Sequence, residues 1–243
     1  LAVYSFTDSP NIGAIHSFSF HNYVTLFTTP ELIDMIIGSI ALAIGSAVLA
    51  TILGTTGAIG AFYSKKNVNG TMSVLNQIPV VNADVVTGFS LCILLVVVFG
   101  ISKNTYIPLI IGHTVLSAPF VYLAVVPKLK QMDPSLYEAA LDLGATPGYT
   151  LIHIIIPQIA SGIVSGFVMA VTLSLDDYFV ATYTKPATFD TISTYVVNAT
   201  KGSQTNIRTA LWALSTIIFL IVVIVEVVMN FAPIKNEAQK EKH

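Results

Sequence analysis

The chain has 243 residues, of which 54% are hydrophobic and only 10% charged, and its mean hydropathy is +0.77. That balance excludes an ordinary soluble domain and places the protein in a membrane. The formal net charge of −2 gives no basic excess, so no electrostatic footprint for nucleic acid exists. The single cysteine, Cys92, cannot form an intrachain disulfide and reads as a small core residue. No cysteine or histidine spacing fits a metal site, and neither metal nor cofactor is expected.

Residues 1–30 alternate polar and aromatic side chains, with Phe18, Phe20, Tyr23 and Phe27 and no basic residue. They read as an external segment, a loop and short helix at the membrane interface, where His16 and His21 are solvated. From Met35 to Phe62 the chain carries no charge, a run longer than the ~20 residues that cross a hydrocarbon core. Ser46, Ala50, Gly54 and Ala58 recur every four residues along it, a ridge that lets another helix approach closely. Lys65 and Lys66 close the span.

The next span is interrupted. Asn76-Gln77-Ile78-Pro79 and Asn82-Ala83-Asp84 precede the apolar run Val85 to Ser102, which predicts a helix that bends or breaks near Pro79. A carboxylate costs ~2.5–3.5 kcal/mol to insert at a helix centre, so Asp84 is expected to face a polar interior. A further uncharged span runs from Asn104 to Pro127, ending at Lys128 and Lys130. Its His113 has no carboxylate one helical turn away and reads as a hydrogen-bonded packing residue.

Asp133 to Pro157, DPSLYEAALDLGATPGYTLIHIIIP, is the longest polar interruption. Asp133 is placed to cap a helix, Pro134 to occupy its first turn and Gly144 to end it in the left-handed conformation. Thr146 repeats the cap before Pro147, and the second helix enters Ile152–Ile156 until Pro157 breaks or kinks it. The spacing Glu138-Ala139-Ala140, Gly144, Ile154-Ile155-Ile156-Pro157 resembles the EAA loop of permease subunits of ABC importers. Ile156 stands where leucine is usual, a change that nearly conserves volume. The resemblance implies that residues 128–157 form a cytoplasmic coupling loop. Glu138, Ala139, Ala140, Gly144 and Pro157 would then shape its contact with a separate ATPase.

After this loop Gln158 to Leu175 crosses again, with Gly162 and Gly166 as a second close-approach pair. It ends in Ser174-Leu175-Asp176-Asp177-Tyr178. Residues 181–208 are rich in Thr and Asn and read as an external loop with room for a short helix. Thr209 to Phe231 is the last span, with Trp212 near one interface and Glu226 near the other, and 235–243 form a charged cytoplasmic tail. The fold class is therefore an all-α polytopic bundle of the ABC permease type. Five spans are present, and the likeness to six-span permeases implies one more upstream. Of the 11 Lys and Arg, seven (Lys65, Lys66, Lys128, Lys130, Lys235, Lys240, Lys242) then fall on the side of the coupling loop. Four (Lys103, Lys185, Lys201, Arg208) fall opposite, which places the loop inside.

Substrate chemistry rests on acidic residues at membrane depth. Asp176 and Asp177 come at the outer end of their span and Asp84 nearer the middle of its own, and carboxylates along a path favour cations over anions. Asp176 or Asp177 could equally cap an external helix or pair with a lysine. LSLDD, the segment Asn82-Ala83-Asp84 with VVTGFSL after it, and KLKQMDPSLYEAALDLGATP together resemble the C-type permease of spermidine/putrescine ABC importers. Relatives often have proline where this chain has Asn82-Ala83. The resemblance makes Asp84, Ser174, Asp176 and Asp177 candidates for the substrate path. It implies import across a bacterial inner or plasma membrane with a cytoplasmic ATPase pair, a second permease and an external polyamine-binding protein. No GxxxxGK[ST] phosphate loop occurs, so the motor is another chain. Two alternatives stay open: a permease for iron, thiamine or an anion, and an intramembrane enzyme using Asp84 and Asp176 as a dyad. The enzyme reading needs the two groups adjacent, whereas their sequence-derived depths differ.

Overall fold

The computed structural model describes residues 3–7, 18–201, 210–220, 223–224 and 227. Their dominant element is α2, Pro30–Phe62, 33 residues that begin with proline in the first turn. The helix starts before the uncharged run, because Pro30 and the extended Thr29 set its entry. At ~1.5 Å per residue it is roughly 50 Å long, well beyond a ~30 Å hydrocarbon core.

One face of α2 is buried through Ala43, Ser46, Ala47, Ala50, Gly54, Ala58 and Ala61. This is the predicted ridge, and it is filled from within the chain. It packs on α5, Ile107–Gln131, and on α9, Ala160–Asp176. A Cβ on Gly54 would lie 2.7 Å from Val121 Cβ and 2.8 Å from the Ala118 carbonyl oxygen. Gly162 and Gly166 bring α9 onto the same helix. Their Cβ positions would lie 2.9 Å from the Ala124 carbonyl oxygen and 3.0 Å from Val121 Cα, respectively. Val121, Val125 and Leu129 fill the core between the three helices with Ile155 and Ile159.

Two further spans are bent pairs. The helix α3, Lys66–Val81, and the segment Asp84–Val98 meet at 103°. That segment is α4, Asp84–Cys92, continued by a π-helical turn over Ile93–Val98. The break was expected at Pro79, but Pro79 lies inside α3. Asn82 and Ala83 adopt extended backbone, ψ 147° and 135°, and Asp84 opens the next helix in its first turn. A proline removes one ladder bond on its own N–H side, whereas two consecutive extended residues end the ladder altogether.

The second pair, Pro147–Gln158 and α9, meets at 71°. It is preceded by α6, Ser135–Asp142, and its first arm comprises α7, Pro147–Thr150, a π turn over Leu151–Ile155, and α8, Ile156–Gln158. Here too the bend falls after the proline, at Ile159 with φ −94° and ψ 5°. Pro157 itself sits in the first turn of α8, a position that tolerates its missing N–H.

Residues 181–184, at the start of the segment read as a loop with room for a short helix, are helical. They complete α10, Phe179–Thr184, where Val180, Ala181 and Thr184 are buried. Beyond it α11, Ile192–Lys201, joins α1, His21–Thr28, the start of α2 and the apolar helix α12, Ala210–Leu220. Leu26, Leu32, Met35, Ile192, Leu211 and Leu214 make a second core there. Asn22 donates to the Ser5 and Thr7 carbonyls at 3.0 and 2.9 Å and ties the preceding segment to α1. His16, Arg208, Glu226 and the tail 235–243 lie outside the described residues. So does most of Thr209–Phe231 beyond α12.

The packing at Gly54 generates a test. Gly54→Leu must drive α2 and α5 apart, whereas nothing lies within 4 Å of a Cβ on Gly60. Overpacking a tight core costs about 1–3 kcal/mol. Gly54→Leu is therefore expected to lower the unfolding midpoint of purified protein, and Gly60→Leu to leave it unchanged.

Candidate functional site

The knob between α5 and α9 is built by local chemistry. Asp133 Oδ1 accepts from the Ser135 amide at 2.9 Å and from its hydroxyl at 2.7 Å, and both bonds hold the Asp133 carboxyl below its ordinary range. The helix α6 closes in a full Schellman arrangement. Ala145 N–H donates to the Ala140 carbonyl at 3.0 Å and Gly144 N–H to Leu141 at 2.9 Å, with Gly144 at φ +88°. Thr146 then caps α7 by accepting from the Tyr149 amide.

The five loop residues singled out by sequence separate into two roles by position. Ala140 is buried, and the Tyr137 ring packs on that of Tyr63 at the end of α2, tilted by 41° with centroids 4.9 Å apart; together they anchor the knob. Glu138, Ala139, Gly144 and Pro157 are exposed. Beside them Leu143 is 89% exposed, at the turn between α6 and α7.

The second constellation lies at the far end of α9, whose 17 residues carry the chain roughly 25 Å from the knob. A cavity of about 290 Å³ is lined by Asp84, Asp176 and Asp177, with Leu116, Phe120, Tyr178 and Phe179 among its walls. The separate depths inferred for Asp84 and Asp176 give way to a shared cavity, with α4 packed on α10 just beyond the end of α9. Asp84 and Asp176 are exposed.

Asp177 and Ser174 behave differently. The Asp177 side chain is 4% exposed. Its Oδ1 accepts from the Val180 amide at 3.2 Å and its Oδ2 from the Ala181 amide at 2.7 Å, so it caps α10. Ser174 is buried, with Oγ 2.7 Å from His113 Nδ1 and 3.3 Å from Ser46 Oγ. His113, fully buried, has Nε2 3.6 Å from Asp177 Oδ2. The sequence reads His113 as a hydrogen-bonded packing residue, since no carboxylate lies one turn away along its own helix, and the bond to Ser174 fits that reading. The carboxyl arrives from the break between α9 and α10. A histidine in an otherwise uncharged span was the available signal.

Residues 54–232 match the family described as the binding-protein-dependent transport system inner membrane component. The chain belongs to that family. The matched stretch contains both the knob and the acidic cavity. The permease is 30% identical over 223 residues to the spermidine/putrescine transport system permease protein PotC of Haemophilus influenzae, covering 90% of this chain and 83% of that one. It is 31% identical over 189 residues to the putrescine transport system permease protein PotI of Escherichia coli, covering 75% and 67%. Among solved structures it is similar to a bacterial ABC transporter involved in the import of the acidic polysaccharide alginate. The TM-score is 0.67 at 19% identity, over 88% of this chain and 84% of that one, a likeness of fold. The protein is thus a multi-pass membrane subunit of an ABC importer.

The geometry of the knob makes a prediction. Valine cannot adopt the φ of Gly144 without strain of about 1–2 kcal/mol. Gly144→Val should therefore fray α6 and α7, seen as faster amide exchange over 135–150 in protein that still inserts and purifies.

Proposed function

We propose that this permease imports polyamines, spermidine or putrescine, with ATP hydrolysis supplied by separate cytoplasmic subunits that dock on the knob. The observation that carries this reading is the cavity lined by Asp84, Asp176 and Asp177 together with Phe120, Tyr178 and Phe179. Carboxylates at membrane depth draw cations and repel phosphate, sulfate or molybdate. Aromatic faces add attraction for ammonium groups, about 0.5–2 kcal/mol each, and accommodate the methylenes between them. The relatives that carry polyamine names support the same substrate.

A passage site needs few such groups, because a path that holds its solute tightly cannot release it. Capture then belongs to an external binding protein, and a second permease completes the pathway. The exposed carboxylate Glu138 and the exposed Leu143 on the knob are the contact for the ATPase, and the knob lies in the cytoplasm on the side richer in lysine.

Two measurements test this reading. Asp84→Asn and Asp176→Asn preserve shape while removing one charge each. Each should raise the KM for labelled spermidine and putrescine about three- to tenfold, and the pair by more, since a multiply charged solute meets both. Unchanged uptake by all three variants, at equal expression, would leave an importer of some other solute. Separately, Glu138→Arg should leave the permease inserted while lowering uptake and solute-stimulated ATP hydrolysis together, as measured in proteoliposomes holding the whole transporter.

A further inference from the structure

We propose that His113 is a positioning residue of the transport path, acting through Asp177. On this reading Asp177 faces inward as the latch of α10, and Asp84 and Asp176 are the carboxylates that meet the solute. The inference rests on the transport reading above and divides its acidic residues by role.

Four observations converge on the short helix α10. Both Asp177 oxygens are committed to backbone amides of its first turn, Val180 at 3.2 Å and Ala181 at 2.7 Å. His113 stands behind the cap with Nε2 3.6 Å from Asp177 Oδ2, and Nε2 makes no hydrogen bond among the described residues. The ring is held from its other side by Ser174 at 2.7 Å, and Ser174 is in turn 3.3 Å from Ser46. This buried polar chain therefore crosses from α2 through α9 and α5 to α10.

The seat of α10 is equally specific. A Cβ on Gly88 of α4 would lie 2.9 Å from Val180 Cα, and one on Gly112 of α5 would lie 2.8 Å from Val180 Cγ1. Two notches, one on each flanking helix, thus receive the same residue. Gly112 precedes His113 in sequence, so the notch and the imidazole are set by one turn of α5.

The connection to transport is the cavity wall. Tyr178 and Phe179, which follow Asp177 directly, line the cavity with Asp84, Asp176 and Asp177 itself. Whatever fixes Asp177 fixes those rings. His113 is fully buried and is not part of the cavity lining, so its influence must pass through the latch.

With His113 replaced by an apolar side chain the Asp177 carboxyl keeps its two amide donors but faces no polar group across Oδ2, so the cost of losing the imidazole depends on the carboxyl being there. That dependence gives the test, performed on the complete transporter in proteoliposomes. His113→Leu should lower the maximal rate of spermidine and putrescine uptake about tenfold with KM changed less than about twofold. Asp177→Asn keeps one of the two capping oxygens and gives up the other amide bond, and should cost about two- to threefold in rate, without the rise in KM expected of Asp84→Asn. The double variant His113→Leu/Asp177→Asn should recover to about the level of Asp177→Asn alone, a coupling that a simple packing role would not produce.

Unfolding midpoints of the same purified complexes should follow the same order. Losses that multiply in the double variant, or a KM for Asp177→Asn raised as far as that of Asp84→Asn, would overturn the inference. If no polyamine is transported by any form, yet the midpoint falls in His113→Leu and recovers in the double variant, the substrate assignment fails and the latch stands.

Discussion

Within a bilayer an unsatisfied backbone amide costs several kcal/mol, so every break in a helix must bring its own hydrogen-bond partners. The break after α9 is where this constraint acts hardest. The chain leaves α9 at Asp177, with extended backbone at that residue, and re-enters a helix within two positions. Asp177 satisfies two of the amides thus exposed. Because the cap is a carboxyl, it in turn requires company, and His113 provides it from α5. The glycine notches, the serine relay and the aromatic wall of the cavity are arranged around that one requirement.

The same constraint separates what could be read from the residues and what could not. The knob was legible almost in full, since Asp133, Gly144 and Thr146 act on neighbours a few positions away. Their caps and the left-handed turn follow from local chemistry. The small-residue ridge of α2 was also legible, because its four-residue period survives in the packed helix. Its partner was not: small residues announce a close approach without saying from which chain, and here the partner is α5.

Both bends were foreseen, and both lie two to four residues after the proline that announced them. Pro79 and Pro157 are each accommodated in helix. The actual breaks are at Asn82-Ala83 and Ile159, whose dihedral angles are chosen by tertiary packing. The acidic cavity lies at such a bend. Depth along a span, counted from sequence, assumes straight helices; a 103° turn between α3 and α4 defeats that assumption, and Asp84 and Asp176 line one cavity. The short helix allowed for in 181–208 could not be placed from the sequence for a related reason. A helix of six residues is too short to show an apolar face, and it owes its burial to Gly88 and Gly112 on other helices.

Among these broken spans α2 stands apart. It runs without interruption from the second core, through Leu32 and Met35, to Phe62 beside the knob, and its one proline is in the first turn. A rod of roughly 50 Å with an intact hydrogen-bond ladder resists bending far more than a kinked one. The Tyr63–Tyr137 contact joins the tip of that rod to α6. The polar chain that begins at Ser46 therefore shares one unbroken helix with the contact to the knob.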